Sequence, residues 1–363
     1  MTEEVCSRIY IDEKKFNVKM DVMNISCPLC NGAAGLAYQG HPGYVFGRTY
    51  DIYSCDQCQV SFVYPLFVEK KDYDEIYADA ENLSGYDKYY ALSQRILSAD
   101  NPLDVMSGLG DEYAYVISRL RACVPKGSSV LEVGCGFGYL TYSLNRSGYN
   151  ATGVDVSEIS VNRATKTYGP YYQCIGLNDF SQLHGRRFDC IVLTEVLEHV
   201  MDPISFLNSL KSLLTENGLI LLTTPNKSAF PSDALWMTDA PPIHLWWFSE
   251  NSLSVLAEKV SMKPRIYKGY VTDRLSYHYW NRSDNLSLPM FVPEFDNQGR
   301  LVKNSREFSL DSPSSSITRN LYARFVPDSL DSTLIRFRNR IRESQKTEYH
   351  CTMFVELKKT VNS

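Results

Sequence analysis

Between residues 128 and 271, short apolar runs alternate with stretches whose apolar positions recur at helical spacing. "SSVLEVG", "NATGVDVS", "FDCIVLT" and "NGLILLTTPN" are the runs, and they read as strands buried on both faces. Between them lie helical patterns. "YLTYSLNRSG" stops at Gly148. A helix opens at Asp202-Pro203, with the aspartate as cap and the proline in the first turn, and runs to about Leu214. "FSENSLSVLAEKV" is a capped amphipathic helix, "DEYAYVISRLRACV" a helix packing on the sheet, and "KPRIYKGYV" a further strand. Strands alternating with helices in this way predict an α/β fold built on a doubly wound, Rossmann-like parallel sheet. "TMFVELKK" is expected to pair antiparallel at the sheet edge.

The rhythm changes outside this core. Residues 1–20 read as a tail, and 21–66 as a small β unit in which "GYVFGRTYDIYSC" alternates like a strand. Residues 67–110 are polar and tyrosine-rich, a helical linker into the core at 111–271. Residues 272–345 are aromatic, loop-like and rich in serine and aspartate, and form a C-terminal insertion or cap that selects substrate. Residues 346–363 hold the final edge strand and a tail.

Composition narrows the class. A chain of 363 residues accommodates one large domain with attachments, or two domains. With 44% hydrophobic and 22% charged residues it is globular, not disordered. A net charge of −5 offers no field for nucleic acid, so no DNA partner is expected, and 21–66 has only Arg48 as a clear basic side chain. The N-terminus lacks the apolar core of a signal peptide, and "GLILLTT" is too short to span a bilayer. A cytoplasmic protein without a membrane span is the expectation.

Four of the ten cysteines stand apart: Cys27 and Cys30 in "CPLC", Cys55 and Cys58 in "CDQC", with 24 residues between the pairs. Two such knuckles can place four thiolates tetrahedrally around Zn²⁺; a closed sphere of that kind stabilises a fold and does no chemistry. The alternative is a redox C-x-x-C, which occurs singly and opens a helix after a strand. The other cysteines are scattered and act as small apolar residues.

The first strand ends in Gly134-x-Gly136-x-Gly138, a turn that lets backbone approach a ligand closely. Tyr139 stands where a dinucleotide fingerprint has its third glycine. Asp155 ends the second strand, 19 residues after Gly136, and can accept hydrogen bonds from ribose hydroxyls. NAD and S-adenosylmethionine share that need. The lost glycine and the acid Glu132, which suits a cationic ligand, count against NAD.

With "VLEVGCGFG", "GVDVS", "FDCIVLTEVLEHVMDP", "GLILLTTPN" and "HLWWFSENSL" in this order, residues 128–260 resemble the class I S-adenosylmethionine-dependent methyltransferases. The cysteine pairs and the tyrosine-rich stretch after them resemble the front of bacterial methyltransferases that carry a zinc ribbon, many of them acting on sugars or glycans. The resemblance implies that Glu132, Gly134, Gly136 and Gly138 surround the methionine part of the cofactor. Asp155 would hold the ribose, Val156 would lie beside the adenine, and Asn178 or Asp179 would cap the adenine edge. Thr194 and Glu195 would face the sulfonium. The implied activity is methylation of an oxygen, less readily a carbon, of a saccharide, nucleotide sugar or other polar small molecule.

A hydroxyl acceptor needs a base, and histidine has a suitable pKa. Of six histidines, His199 and His244 fall in the family's motifs. Glu195, Glu198 and His199 have E-x-x-E-H spacing, which on a helix shares one face. With His244 they could hold Mg²⁺ or Mn²⁺. That pattern resembles the magnesium-dependent small-RNA ribose methyltransferases and ubiquinone-type O-methyltransferases. Alternatively Glu198 caps or salt-bridges, and His199 packs under the cofactor. Arg336, Arg338, Arg340 and Arg342 suit either a phosphate grip or a solvated helix face. A reading of another class is a non-catalytic adaptor that binds through its ribbon.

Overall fold

In a computed structural model, the described residues are 25–43, 48–68, 87–183, 185–229, 235–236, 240–267, 279–280 and 352–360. The tail, almost all of 272–345, His184, His278, His350 and the four arginines of 336–342 lie outside them.

The first described elements form an antiparallel meander of β1 (Ile25–Ser26), β2 (Ala33–Pro42), β3 (Thr49–Cys55) and β4 (Ser61–Tyr64). Three helices follow: α1 (Asp87–Ser98), α2 (Pro102–Ser107) and α3 (Asp111–Cys123). The alternating part then runs β5 (Ser129–Val133), α4 (Tyr139–Arg146), β6 (Asn150–Asp155), α5 (Glu158–Tyr168), β7 (Tyr172–Cys174) and α6 (Leu177–Leu183). It continues through β8 (Phe188–Thr194), α7 (Pro203–Leu213) and β9 (Leu214–Pro225). Beyond it come β10 (Leu235–Trp236), β11 (Trp246–Trp247), α8 (Glu250–Lys259), β12 (Met262–Tyr267), β13 (Tyr279–Trp280) and β14 (Thr352–Lys359). From the expected cap, only β13 is described; it pairs antiparallel with β10.

The large sheet has seven strands in the order β12-β14-β9-β8-β5-β6-β7, parallel from β9 through β7. This is the doubly wound α/β architecture that the alternation predicts. Successive residues of each strand feed opposite faces, which is why the strand sequences are continuously apolar. Leu131, Val133, Ile191, Leu193, Ile220 and Leu222 enter one core, whereas Val130, Cys190, Val192, Leu219 and Leu221 enter the other. Truncating a fully buried leucine here to alanine costs about 2–5 kcal/mol.

One expectation is corrected. The strand at 352–359 is not at the edge: it pairs antiparallel with both β9 and β12, leaving β12 outermost. Its sequence is continuously buried over Met353–Leu357, including Glu356, as an interior strand must be. Glu356 is tolerated there because Arg119 of α3 bonds it at 2.9 Å and the Tyr267 hydroxyl donates to it at 3.1 Å.

The helix starts agree with their sequence signals. Asp202 accepts the amides of Ile204 and Ser205, with Pro203 at the first helical position. Ser249 and Ser252 form a reciprocal capping box at α8. Among the described residues, no helix is long and apolar enough to cross a membrane.

Candidate functional site

The two cysteine knuckles share one backbone design. In each, the first cysteine's amide donates to the carbonyl five residues on: Cys27 to Gly32 and Cys55 to Val60, at 2.8 and 2.9 Å. The carbonyl of that cysteine accepts the amide four residues on, from Asn31 and Gln59, and both of those residues have positive φ. The paired turns bring the four sulfurs within 4.8 Å of one another, with Cys27 to Cys58 at 3.7 Å and Cys30 to Cys55 at 3.4 Å. Ligands at about 2.3 Å from a tetrahedral zinc would be about 3.8 Å apart. All four are unbridged thiols, and the hydrogen bond with Cys58 holds the Cys27 thiol below its ordinary value.

The glycine turn leads from β5 into α4 and is hydrogen-bonded to the end of β6. All three glycines have positive φ. A side chain on Gly134 would strike Val196, and one on Gly138 would strike the Tyr172 ring and Ala164; beside Gly136 the space is open. Packing therefore demands the outer two glycines, whereas the middle one leaves backbone bare toward a ligand. Asp155 holds this turn in place. One carboxylate oxygen accepts the Gly136 amide at 2.8 Å and the other the Ser157 amide at 2.9 Å. Burial pushes its carboxyl above the ordinary value.

Glu132 has a different local task. Its Oε2 accepts both the amide of Thr141, at 2.8 Å, and the Thr141 hydroxyl. The N-cap of α4 is Gly138, which has no side chain to cap with, so an acid on the strand beneath supplies the acceptor. It is 3% exposed, and burial raises its carboxyl to about 8. Val156 is exposed at the end of β6, and Asp179 lies in the first turn of α6. Asn178 is engaged elsewhere, since its side-chain oxygen accepts the Ser209 hydroxyl of α7 at 2.8 Å.

The segment after β8 departs from the helix that the E-x-x-E-H spacing suggests. Thr194 ends the strand, and Glu195 has a φ of 53°, a left-handed conformation that prevents a helix from starting there. Only one 3₁₀ turn follows, Leu197–His199. The Glu195 carboxylate is therefore not among the convergent donors, which are Glu198, His199 and His244, each offering one ligand atom within 4.8 Å of the others. The two imidazoles meet edge to face, with centroids 4.4 Å apart. His199 Nδ1 lies 2.9 Å from the Ile243 carbonyl, its Nε2 lies 3.5 Å from Glu198 Oε1, and Glu198 Oε2 accepts the Thr224 hydroxyl at 2.8 Å. Burial raises Glu198 to about 7. It also lowers both histidines, and His199 lowers His244 further. Val196 packs on Gly134, so this segment and the glycine turn adjoin. Thr141, Ser157 and Thr224 are the partners that sequence reading missed, because each is an ordinary hydroxyl residue without a local motif.

Residues 108–261 match the family described as a methyltransferase domain. The chain is 32% identical over 151 residues to the ubiquinone biosynthesis O-methyltransferase of Xanthomonas axonopodis pv. citri (strain 306), covering 40% of this chain and 62% of that protein. To the mitochondrial ubiquinone biosynthesis O-methyltransferase of Homo sapiens it is 29% identical over 180 residues, covering 45% and 48%. The chain thus spans about half to three-fifths of these curated relatives. A solved structure of magnesium protoporphyrin IX methyltransferase from Synechocystis PCC 6803 with bound SAM aligns at 18% identity and a TM-score of 0.37, covering 58% of this chain and 94% of that one. Residues 108–261 are thus similar to a methyltransferase domain and build the doubly wound sheet described above.

Proposed function

We propose that the chain transfers the methyl group of S-adenosylmethionine to an oxygen of a small-molecule acceptor. In this reading Gly134, Gly136, Gly138 and Asp155 hold the cofactor, and His244, oriented by His199, accepts the acceptor's proton. The carrying observation is a half-buried histidine pair, His199 and His244, in which His199 belongs to the segment that packs against the glycine turn through Val196. S-adenosylmethionine, when bound, supplies an electrophilic methyl on a sulfonium. The bare backbone at Gly136 and the acid at the end of β6 fit such a ligand. Thr194 and Glu195, at the end of β8, are the residues proposed to face the sulfonium, with Val156 and Asp179 on the adenine side.

Burial holds both histidines below the ordinary imidazole value, so each is neutral near pH 7 and carries a lone pair that can take a proton. Relatives named for ubiquinone biosynthesis favour a quinol-type hydroxyl over the saccharide that the ribbon-bearing resemblance implies. The four cysteines hold a structural Zn²⁺ in this reading. Labelled cofactor offered with separate panels of hydroxylated aromatics and saccharides tests the acceptor; labelling of neither, with the cofactor bound, would overturn the proposal.

A second reading rests on the three convergent donors. Glu198, His199 and His244 could hold a divalent cation, which would lower the pKa of an acceptor hydroxyl bound to it. Glu195, offered by the sequence pattern as a fourth ligand, is not among the convergent donors.

A further inference from the structure

The cysteine ribbon and the histidine pair are joined by one short segment, 243–251. On one side, the Ile243 carbonyl accepts a hydrogen bond from His199 Nδ1, and the Leu245 amide donates to the Glu198 carbonyl, both at 2.9 Å. The Trp246 indole N–H donates to the Val200 carbonyl at 2.7 Å. On the other side, the Leu245 carbonyl accepts the Val63 amide at 3.0 Å, and Trp246 pairs with Phe62 across β11 and β4, ring centroids 5.6 Å apart. The Ser249 hydroxyl and Asn251 amide donate to the carbonyls of Cys58 and Gln57, inside the second knuckle, each at 3.1 Å.

Strand β11 has a single strand neighbour among the described residues, and that neighbour is β4 of the ribbon, not a strand of the large sheet. The residues immediately after His244 thus take their register from the ribbon. Trp246 is about 1% exposed and enters the same core as Cys27 and Cys58, so a shift of the ribbon reaches it directly.

We propose that the four-cysteine ribbon is a positioning element for the methyltransferase site: it holds β11, and Trp246, a positioning residue, passes that placement to the turn bearing Glu198 and His199. The inference rests on the reading that the histidine pair serves methyl transfer. A β unit of about 40 residues has too small a core to hold its shape alone, so ligation of the four thiols is what makes the platform rigid.

Trp246→Phe keeps an aromatic ring in the core but removes the indole donor together with part of the ring volume. Its test uses full-length protein with one zinc per chain and ¹⁵N-labelled histidine, reading ring nitrogens by long-range proton–nitrogen spectra beside S-adenosylhomocysteine calorimetry and steady-state kinetics. We expect the His199 and His244 ring signals to move while those of His41 stay. The turnover number should fall roughly 10–100-fold, and product affinity should stay within about twofold. Stripping zinc from the unsubstituted protein should move the same two sets of signals. Phe62→Leu, which loosens the contact from the ribbon side, serves as the second variant and decides the matter if Trp246→Phe does not fold. Unmoved histidine signals in the folded variant and in zinc-stripped protein would overturn the positioning role. Moved signals with an unchanged methyl-transfer rate would instead uphold the link and overturn the catalytic reading of the histidines.

Discussion

His199 lies with its Nε2 3.5 Å from Glu198 Oε1, while its Nδ1 is 2.9 Å from the carbonyl of Ile243. A carbonyl can only accept, so Nδ1 carries the proton, and Nε2 presents a lone pair to the carboxyl group. A lone pair facing an ionised carboxylate would be unfavourable in this buried setting. A proton on Glu198 or a cation shared with His244 relieves it, and those two occupants separate the two mechanisms.

If His244 takes the acceptor proton directly, His244→Ala should lower the turnover number by roughly 10²–10⁴ with cofactor affinity nearly unchanged. Chelator would then leave the rate as it was, provided the four-cysteine zinc stays bound. Loss of the rate to chelator, with recovery on adding Mg²⁺ or Mn²⁺, establishes the metal-dependent version instead. Full activity in the His244→Ala protein would exclude both.

Asp155 carries the cofactor prediction. Removing a carboxylate that hydrogen-bonds a ligand costs on the order of 1.5–3 kcal/mol, so Asp155→Ala should weaken S-adenosylhomocysteine roughly 10–100-fold by calorimetry. Asp155→Asn, which keeps one acceptor oxygen for Gly136 or Ser157, should fall between. Equal affinity in all three proteins would place the ribose elsewhere.

The ribbon should contain one zinc per chain by metal analysis, and Cys58→Ser should lose it. Because a structural zinc contributes folding free energy directly, the variant's Tm should drop by about 10 °C. A freshly reduced protein without zinc, or an unchanged Tm, would show that the knuckles are held by packing alone.

Glu132 makes stability depend on pH, with a definite sign. Its folded value of about 8 exceeds the ordinary carboxyl value of 4.5, because burial opposes its charge. Its contribution is therefore fully present below about pH 4.5 and is lost as pH rises toward 8, where the folded state must give up the proton that the unfolded chain has already released. Glu132→Gln keeps an acceptor for Thr141 but cannot ionise. Its Tm relative to the unsubstituted protein should thus rise steadily between pH 5 and 8. Parallel Tm curves would mean that Glu132 is already ionised at the lower pH.

Residues 128–260 carried most of the fold in their one-dimensional pattern. Apolar runs of strand length, caps at Asp202 and Ser249 and the spaced glycines are local signals, and each depends on side chains within a few residues of one another. The four-thiol cluster was legible for the same reason, since each knuckle is complete within six residues. Three features needed the folded chain. Glu195 looks like a helical neighbour of Glu198 until its left-handed backbone breaks the helix, and its amide is bonded there to Thr223, 28 residues away. The strand at 352–359 moved inward because an antiparallel strand can insert wherever its neighbours leave two open ladders, which pairing across more than 80 residues decides. The ribbon's hold on Trp246 was hidden in the sequence because Phe62 and Trp246 are separated by nearly the whole core domain. Spacing along a chain encodes the geometry of a turn or a helix face; which distant turns meet is set by the packing of the sheet between them.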